Sequence, residues 1–327
     1  MIFQTRGEPS PFLRVKTPHL LFTFVDISSE YTSGGYIDPN FPNPHGPHDV
    51  PIIIYGFTPS FPLALFATVL FSLLLFCHCF QAALFRSWYF STFSIGLFFE
   101  VAGYIARCLS ARLDPYHLIY FVLNYFFIVT APVFLAAGIY AILSVLISRL
   151  GGKYAFMSPK LIMWFFITSD VVATITQVAG ASLIGSKTSK HEDPTTANNI
   201  LLGGLAYQVF SMSVFVFVAT GFLIPARREI YQRKGMSVFV SVFALATCLV
   251  YVRTIFRLAE TSEGLFGNLQ THEIYFAVLE FAPVAGAALL FAAWHPGRCL
   301  GKRAKVGNKE GMGRYEANEL NFFLVKS

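Results

Sequence analysis

Seven long apolar segments dominate the pattern of hydrophobic and polar positions along the chain. They lie near residues 61–85, 88–109, 117–148, 160–184, 200–224, 237–258 and 274–294. A helix needs about 20 apolar residues to cross a bilayer, and each segment reaches that length. We therefore predict an all-α membrane protein with seven transmembrane helices. The third segment is long enough to tilt or to extend beyond the membrane.

The polar stretches divide the chain into three parts. Residues 1–60 are rich in Pro, Gly and Ser, and the apolar run at 19–25 is too short to span, so we expect an irregular tail. Residues 61–297 form the predicted seven-span domain. Residues 298–327 are basic, and we expect a disordered cytoplasmic tail there.

Composition and charge agree with a membrane protein and predict its orientation. The chain is 55% hydrophobic and 13% charged, whereas soluble domains carry about 25% charged residues. Its net charge of +6 comes from basic residues at the predicted membrane borders, so it does not indicate a nucleic-acid partner. One border carries fifteen Lys and Arg residues and the other carries six. The positive-inside rule then predicts an N-terminus outside and a C-terminus in the cytoplasm.

Charged residues interrupt the apolar segments at a few positions. Glu100 and Arg107 lie in the second segment, seven residues apart, so they share a helix face with Tyr104 between them. A charge at the centre of a bilayer costs about 3 kcal/mol or more without a partner. Such residues are therefore candidates for a functional site.

Other segments carry polar residues of the same kind. At a rise of about 1.5 Å per residue, most of them fall in the predicted outer half of the membrane. The candidate substrate-binding set is Glu100, Tyr104, Arg107, Asp170, Gln177, Gln208, Arg253, Arg257, Glu273 and Glu280. Three acids within the spans, Glu100, Asp170 and Glu280, balance the three bases, which predicts mutual ion pairs.

Two interpretations of this set stay open. In the structural one, ion pairs and amides hold the helices together, and Gly203 and Gly204 let two backbones approach. In the functional one, the set lines a polar cavity in the outer half of the bundle that holds the headgroup of an amphiphile. The two are compatible, because a paired network can also line a cavity.

The motifs of several enzyme classes are absent from the sequence. The run at 297–302 has the wrong spacing for a P-loop, and Phe276 replaces the second His of a zinc-protease motif after His272 and Glu273. No nucleophile elbow occurs. Cys77 and Cys79 point to different faces of a helix from His78, so they do not predict a metal site. We expect neither catalysis nor a cofactor.

Short motifs in six of the spans, in a fixed order, resemble one known family. They are YGFTPS (55–60), EVAGYIAR (100–107), APVFLAAGIY (131–140), SDVVATITQVAG (169–180), GGLAYQ (203–208) and the series of Arg253, Arg257, Glu260, His272, Glu273, Glu280 and HPG (295–297). The chain resembles the fungal lipid-translocating exporters, the RTA-like proteins, over about three-quarters of its length. It departs from them at Ala179–Ala181, where a glycine run is common, and at Glu280, where Asp is common.

The resemblance implies a seven-span protein of the plasma membrane. Members are linked to outward movement of sphingoid long-chain bases, to resistance against amphiphilic toxins and, in one branch, to porphyrin handling. The implied partners are membrane lipids and an amphiphilic small molecule.

The residues themselves then favour a translocator without ATPase activity. Acids at 100, 170 and 280 present negative potential to an amine headgroup, and Gln177 and Gln208 supply hydrogen bonds. The three arginines keep the acids charged or bind a phosphate. The alternative is a seven-span lipid or stress sensor that affects lipid transport indirectly.

Overall fold

The chain folds into a bundle of membrane-spanning helices. The computed structural model describes residues 36–41, 49–151, 154–155, 157–189, 193–233, 235–264 and 267–300. Within these ranges, seven helices are long and apolar enough to cross a membrane. They are α1 (Phe61–Phe85), α2 (Ser91–Arg112), α3 (Leu118–Leu150), α4 (Pro159–Ser189), α5 (Thr195–Leu223), α6 (Met236–Glu263) and α7, which begins at Glu273. The all-α, seven-helix prediction is confirmed, whereas the orientation stays a prediction.

Several helices are longer than their apolar segments. α3 has 33 residues, and at about 1.5 Å per residue it exceeds the roughly 30 Å of a hydrocarbon core. α5 begins at Thr195, about one turn before the predicted start, and its extra turn includes Asn198 and Asn199. Helical hydrogen bonds continue through polar residues, so hydropathy alone predicts helices that are too short.

The helices pack in sequence order around α3. Each of α1 to α4 contacts the next, α4 pairs with α5, α5 with α6, and α6 with α7. α7 also contacts α1, and α3 contacts α6. In its most apolar stretch, 78% of α3 is buried, against 28% for α1. The small residues of the run at 136–138 allow neighbours to surround α3.

The outer surface of the bundle is apolar. Large side chains such as Phe76, Phe80, Phe217 and Trp164 are exposed on different helices. A soluble protein rarely exposes so much contiguous apolar surface. The protein is therefore a multi-pass integral membrane protein with lipid-facing helix surfaces.

Two glycines let α4 and α5 approach closely. A Cβ built on Gly180 would lie 2.6 Å from the backbone nitrogen of Leu201, and one on Gly204 would lie 3.1 Å from the carbonyl oxygen of Ala173. The close approach predicted for Gly203 and Gly204 is therefore confirmed for Gly204. It is wrong for Gly203, which has nothing within 4 Å of the corresponding position.

α7 contains a change of helical pitch. A first turn at Glu273–Tyr275 leads into a π-helical segment at Phe276–Phe281, and the α-helix resumes at Ala282–Ala293. Pro283 has no N–H to offer to a carbonyl one turn earlier, which favours irregular hydrogen bonding just before it. Glu280 lies in the π-helical segment, a form often found at functional sites.

Residues 49–60, here called the cap, cover one end of the bundle. The backbone of Val50 donates to the carbonyl of Tyr116 between α2 and α3 at 3.1 Å. Ile53 and Tyr55 are buried against Tyr116 and form a small apolar core of their own. This end is the predicted outer side. Residues 1–35 and 301–327, with most of the predicted tails, lie outside the described residues.

Candidate functional site

The predicted charged face of α2 is buried. Glu100, Tyr104 and Arg107 are 1–2% exposed, at the i, i+4 and i+7 spacing of one helix face. Gly103 beside them lets α3 come close, because a Cβ there would lie 2.7 Å from the side chain of Ile128. The amide of Asn124 on α3 donates to the carbonyl of Gly103 at 2.8 Å. The face shared by these residues is therefore turned into the bundle.

Arg107 pairs with the first residue of α7. Its Nη2 lies 2.9 Å from Oε1 of Glu273, and only 2% of the Arg107 side chain is exposed. The same carboxylate accepts a hydrogen bond from the backbone of Ser60 at 3.0 Å, so it joins α2, α7 and the cap. Three aromatic rings lie within 6 Å of the guanidinium: those of Tyr55, Phe57 and Phe276. Cation–π attraction therefore adds to the ion pair.

Arg253 on α6 makes the deepest pair. It donates to Glu280 on α7 and, at 2.8 Å, to the carbonyl oxygen of Ile128 on α3. Both side chains are almost fully buried. One guanidinium thus joins three helices, and Arg253 with Glu280 is one ion pair of the predicted kind.

Arg257 pairs within its own helix. Its Nη1 lies 2.6 Å from Oε2 of Glu260, and its guanidinium carbon lies 5.2 Å from the centre of the Tyr125 ring. Glu260 was expected in the loop after the sixth span. α6 instead continues to Glu263, so Glu260 stays on the helix, one turn from Arg257. The sequence analysis missed this residue as a member of the site.

The predicted one-to-one pairing of acids and bases within the spans is wrong for two of the three acids. Arg107, Arg253 and Arg257 are engaged by Glu273, Glu280 and Glu260. Within the described residues, Glu100 has no ion pair or hydrogen bond, and its Oε1 is buried without a partner. We call these charged residues the charge cluster: Glu100, Arg107, Arg253, Arg257, Glu260, Glu273 and Glu280.

Asp170 on α4 also lacks a base among the described residues. Its Oδ2 accepts a hydrogen bond from the hydroxyl of Tyr140 at 2.7 Å, and its Oδ1 is buried without a partner. Tyr140 lies on α3, so the bond crosses between helices. Sequence reasoning missed Tyr140, because a tyrosine in an apolar helix gives no signal of its partner.

Gln177 and Gln208 join α4 to α5. Nε2 of Gln177 donates to Oε1 of Gln208 at 2.9 Å, and both residues are buried. Thr174, on the same stripe, donates to the backbone of Asp170 on its own helix. The two amides therefore satisfy each other in this conformation.

A small void lies beside Asp170. Its volume is about 10 Å³, room for about one water molecule. The lining residues include Tyr140, Asp170, Gln208 and Thr254. A headgroup does not fit into this space without a rearrangement. The bundle is thus in a closed conformation around these residues.

Two ionisable groups outside the spans, Asp114 and Tyr55, lie at the capped end of the bundle. Burial raises the pKa of Asp114 above its usual value, and the nearby carboxylate of Asp49 raises this pKa further. Burial likewise raises the pKa of Tyr55, so its hydroxyl stays protonated and donates to Asn124 at 3.3 Å. At this end of the bundle, burial therefore shifts the pKa of both groups in the direction of the uncharged form.

A second polar group lies at the opposite end of the bundle. His78 on α1 is fully buried, and its Nε2 lies 3.1 Å from the carbonyl oxygen of Ala288 on α7. Nδ1 of His295 accepts a hydrogen bond from Gly297 at 3.1 Å and caps the short helix Pro296–Cys299. Among the described residues, no group of three or more His, Cys, Asp or Glu could hold a metal ion.

Comparison with known protein families gives one match. The model of the family described as RTA1 like protein matches residues 93–303, which is more than half of the chain. That range includes the whole charge cluster, whereas the cap and α1 lie outside it. No solved structure gives a significant match to the chain.

Three relatives come from Saccharomyces cerevisiae, and the names of two of them bear on function. The sphingoid long-chain base transporter RSB1 of strain Lalvin EC1118 is 29% identical, over 74% of this chain and 73% of its own. Protein RTM1 is 30% identical, over 62% and 67%. The protoporphyrin uptake protein 1 of strain S288c is 26% identical, over 62% and 67%. On the extent of the family match, this chain belongs to the RTA1-like family.

Proposed function

We propose that this protein moves amphiphilic lipids across the membrane, with sphingoid long-chain bases or sterol-like amphiphiles as its substrates. The observation that carries the proposal is the similarity to a sphingoid long-chain base transporter over about three-quarters of both chains. Two of the similar proteins are named for transport or uptake rather than for a catalysed reaction. The protein acts without hydrolysing ATP.

The charges of the buried site support a cationic headgroup. Glu100, Glu280 and Asp170 are each 2% exposed, and only one of the three has a base as partner. An excess of acids attracts an ammonium group, and desolvation strengthens that attraction. Gln177 and Gln208 exchange their mutual hydrogen bond for bonds to the polar atoms of the substrate.

The transport path requires an opening of the closed bundle. The hinges are the irregular turn of α7, which carries Glu280, and the contact between the cap and Glu273. A polar contact to α7 lies at each place, between Arg253 and Glu280 in the first and between Ser60 and Glu273 in the second. The protein works in the plasma membrane, in contact with lipid on all sides of the bundle.

Transport by the purified protein is the test. Protein is reconstituted into vesicles, and the movement of a fluorescent long-chain amine between the leaflets is measured. We expect movement above that of empty vesicles, with a loss of about 10-fold or more in Glu100→Gln, because a charge-assisted contact disappears. Asp193→Asn is the matched control, because Asp193 is a fully exposed carboxylate in the loop between α4 and α5.

A folded protein that moves no amine contradicts the proposal. Seven helices, an intact bundle and an amine-dependent change in conformation without movement would favour the alternative of a lipid sensor. The family membership would then describe the fold alone.

A further inference from the structure

The buried acids outnumber the buried bases in the described part of the bundle. Arg107, Arg253 and Arg257 each contact one carboxylate, those of Glu273, Glu280 and Glu260. Glu100 and Asp170 are left over, and both are 2% exposed. The sequence suggested a balance of three against three, but the structure adds Glu260 and Glu273 to the acid side.

The surroundings of Glu100 offer little to neutralise a second carboxylate. The charged groups that act on it are Arg253 and Glu280, and the phenol of Tyr104 comes from its own helix. Arg253 is already bound to Glu280 and to the carbonyl of Ile128. An ionised Glu100 would therefore face one acid and one engaged base, with no hydrogen-bond donor in the described residues.

Asp170 is in a similar position on the other side of α3. The hydroxyl of Tyr140 is its hydrogen-bond partner, and Gln208 lines the same small void. Neither group carries a positive charge. Two carboxyls in an apolar bundle thus need a proton or a cation each.

We propose that this protein exchanges protons for its cationic substrate, with Glu100 as the group that holds the proton in the closed bundle. The inference rests on the proposed function and adds the ion that moves in the direction opposite to the lipid. Asp170 is a second position of the same type, held by Tyr140.

The exchange balances in atoms and charge. When a protonated amine reaches Glu100, the O–H bond of the carboxyl breaks, and the proton leaves to water on the side from which the amine came. The carboxylate then pairs with the ammonium group. When the amine leaves on the opposite side, a proton from that side rebinds to Glu100. One positive charge moves in each direction, so a proton gradient drives the amine.

Proton release on binding is the direct measurement. The full-length protein in lipid nanodiscs is titrated with sphingosine at about pH 6.5, where a primary amine is protonated. Calorimetry in two buffers with different enthalpies of ionisation gives the number of protons released for each amine bound. We expect about one proton for the unmodified protein. We expect release close to zero for Glu100→Gln, and release retained in Glu100→Asp and in the control Asp193→Asn.

Each outcome separates this inference from the proposed function. Binding without proton release by the unmodified protein overturns the exchange and leaves lipid transport standing. Unchanged release in a folded Glu100→Gln variant overturns the assignment to Glu100. No binding of amine by the folded protein overturns the proposed function, and the exchange falls with it.

Discussion

Arg253 and Glu280 form the most enclosed ion pair of the charge cluster, with side-chain exposures of 3% and 2%. A buried pair of this type contributes less to stability than its Coulomb energy suggests, because both groups lose their hydration. Loss of one partner, however, leaves the other charge uncompensated. Arg253 and Glu280 therefore belong to both interpretations, as an ion pair between helices and as part of the candidate substrate-binding set.

Removing both partners of this pair should destabilise the bundle by less than the two single removals added together. We expect Arg253→Met or Glu280→Gln alone to cost about 3–5 kcal/mol, and the double variant to cost less than the sum. Thermal unfolding in detergent is the measurement, with the exposed Glu263 changed to Gln as the control. Additive losses would show that the two groups do not interact.

Tyr140→Phe should leave Asp170 without its hydrogen-bond donor. The phenyl ring keeps the packing against Phe166 and Phe215, so the change isolates the hydroxyl. We expect a loss of about 1–3 kcal/mol, the cost of an unsatisfied buried group. Tyr231→Phe, at an exposed position, serves as control. A stability equal to that of the unmodified protein would mean that water replaces the hydroxyl.

The identities of these partners mark the limit of sequence reasoning. The seven-residue spacing shows that Glu100 and Arg107 share a helix face, because helix geometry fixes which residues lie on one side. They do not show that Arg107 contacts Glu273, or that Asp170 contacts Tyr140. Which acid pairs with which base depends on where the helices end and how they cross. A count of acids and bases in the sequence contains neither piece of information.

At the scale of helices, the close contact of α4 and α5 depends on glycines, whose side chain is a single hydrogen atom. The backbones approach at Gly180 and Gly204, while Gly203, next in the chain to Gly204, faces open space. The sequence shows a pair of glycines but not which of the two lies in the contact. The π-helical segment of α7 is also invisible to hydropathy, since it changes the hydrogen bonding and not the apolar pattern.

Gly180→Ala and Gly203→Ala form a matched pair. The added methyl at position 180 would lie 2.6 Å from the backbone of Leu201, so the helices must separate. We expect a loss of about 1–3 kcal/mol in thermal unfolding experiments. At position 203 we expect no loss, because alanine favours a helix by up to about 1 kcal/mol over glycine. Equal effects at both positions would contradict the close contact.

At the scale of the whole molecule, the cap connects a segment from the start of the chain to the first turn of α7. It packs against the turn between α2 and α3, in which Oδ1 of Asp114 accepts a hydrogen bond from the backbone of Tyr116 at 2.9 Å. Because burial raises the pKa of Asp114, the docked cap binds a proton more tightly than the free segment does. Docking is therefore favoured at low pH and is weakened as pH rises through that raised pKa.

Hydrogen exchange of residues 49–60 should follow this sign. We expect greater protection in mildly acidic than in neutral solution, and a smaller pH dependence in Asp114→Asn, which keeps the acceptor oxygen. Asp49 and His117 lie beside Asp114, so the difference between the two proteins isolates the contribution of Asp114. Protection that rises with pH to the same extent in both would refute this role.

The pairing of charges also has a consequence for how the protein is made. Arg107 belongs to the second helix and Arg253 to the sixth, yet both find their carboxylates on the seventh. Synthesis proceeds from the N-terminus, so Arg107 and Arg253 have no carboxylate partners on α7 until the ribosome has completed that helix. A chain that stops after α6 carries both charges uncompensated. Two arginines without carboxylate partners therefore distinguish an unfinished chain from a complete one.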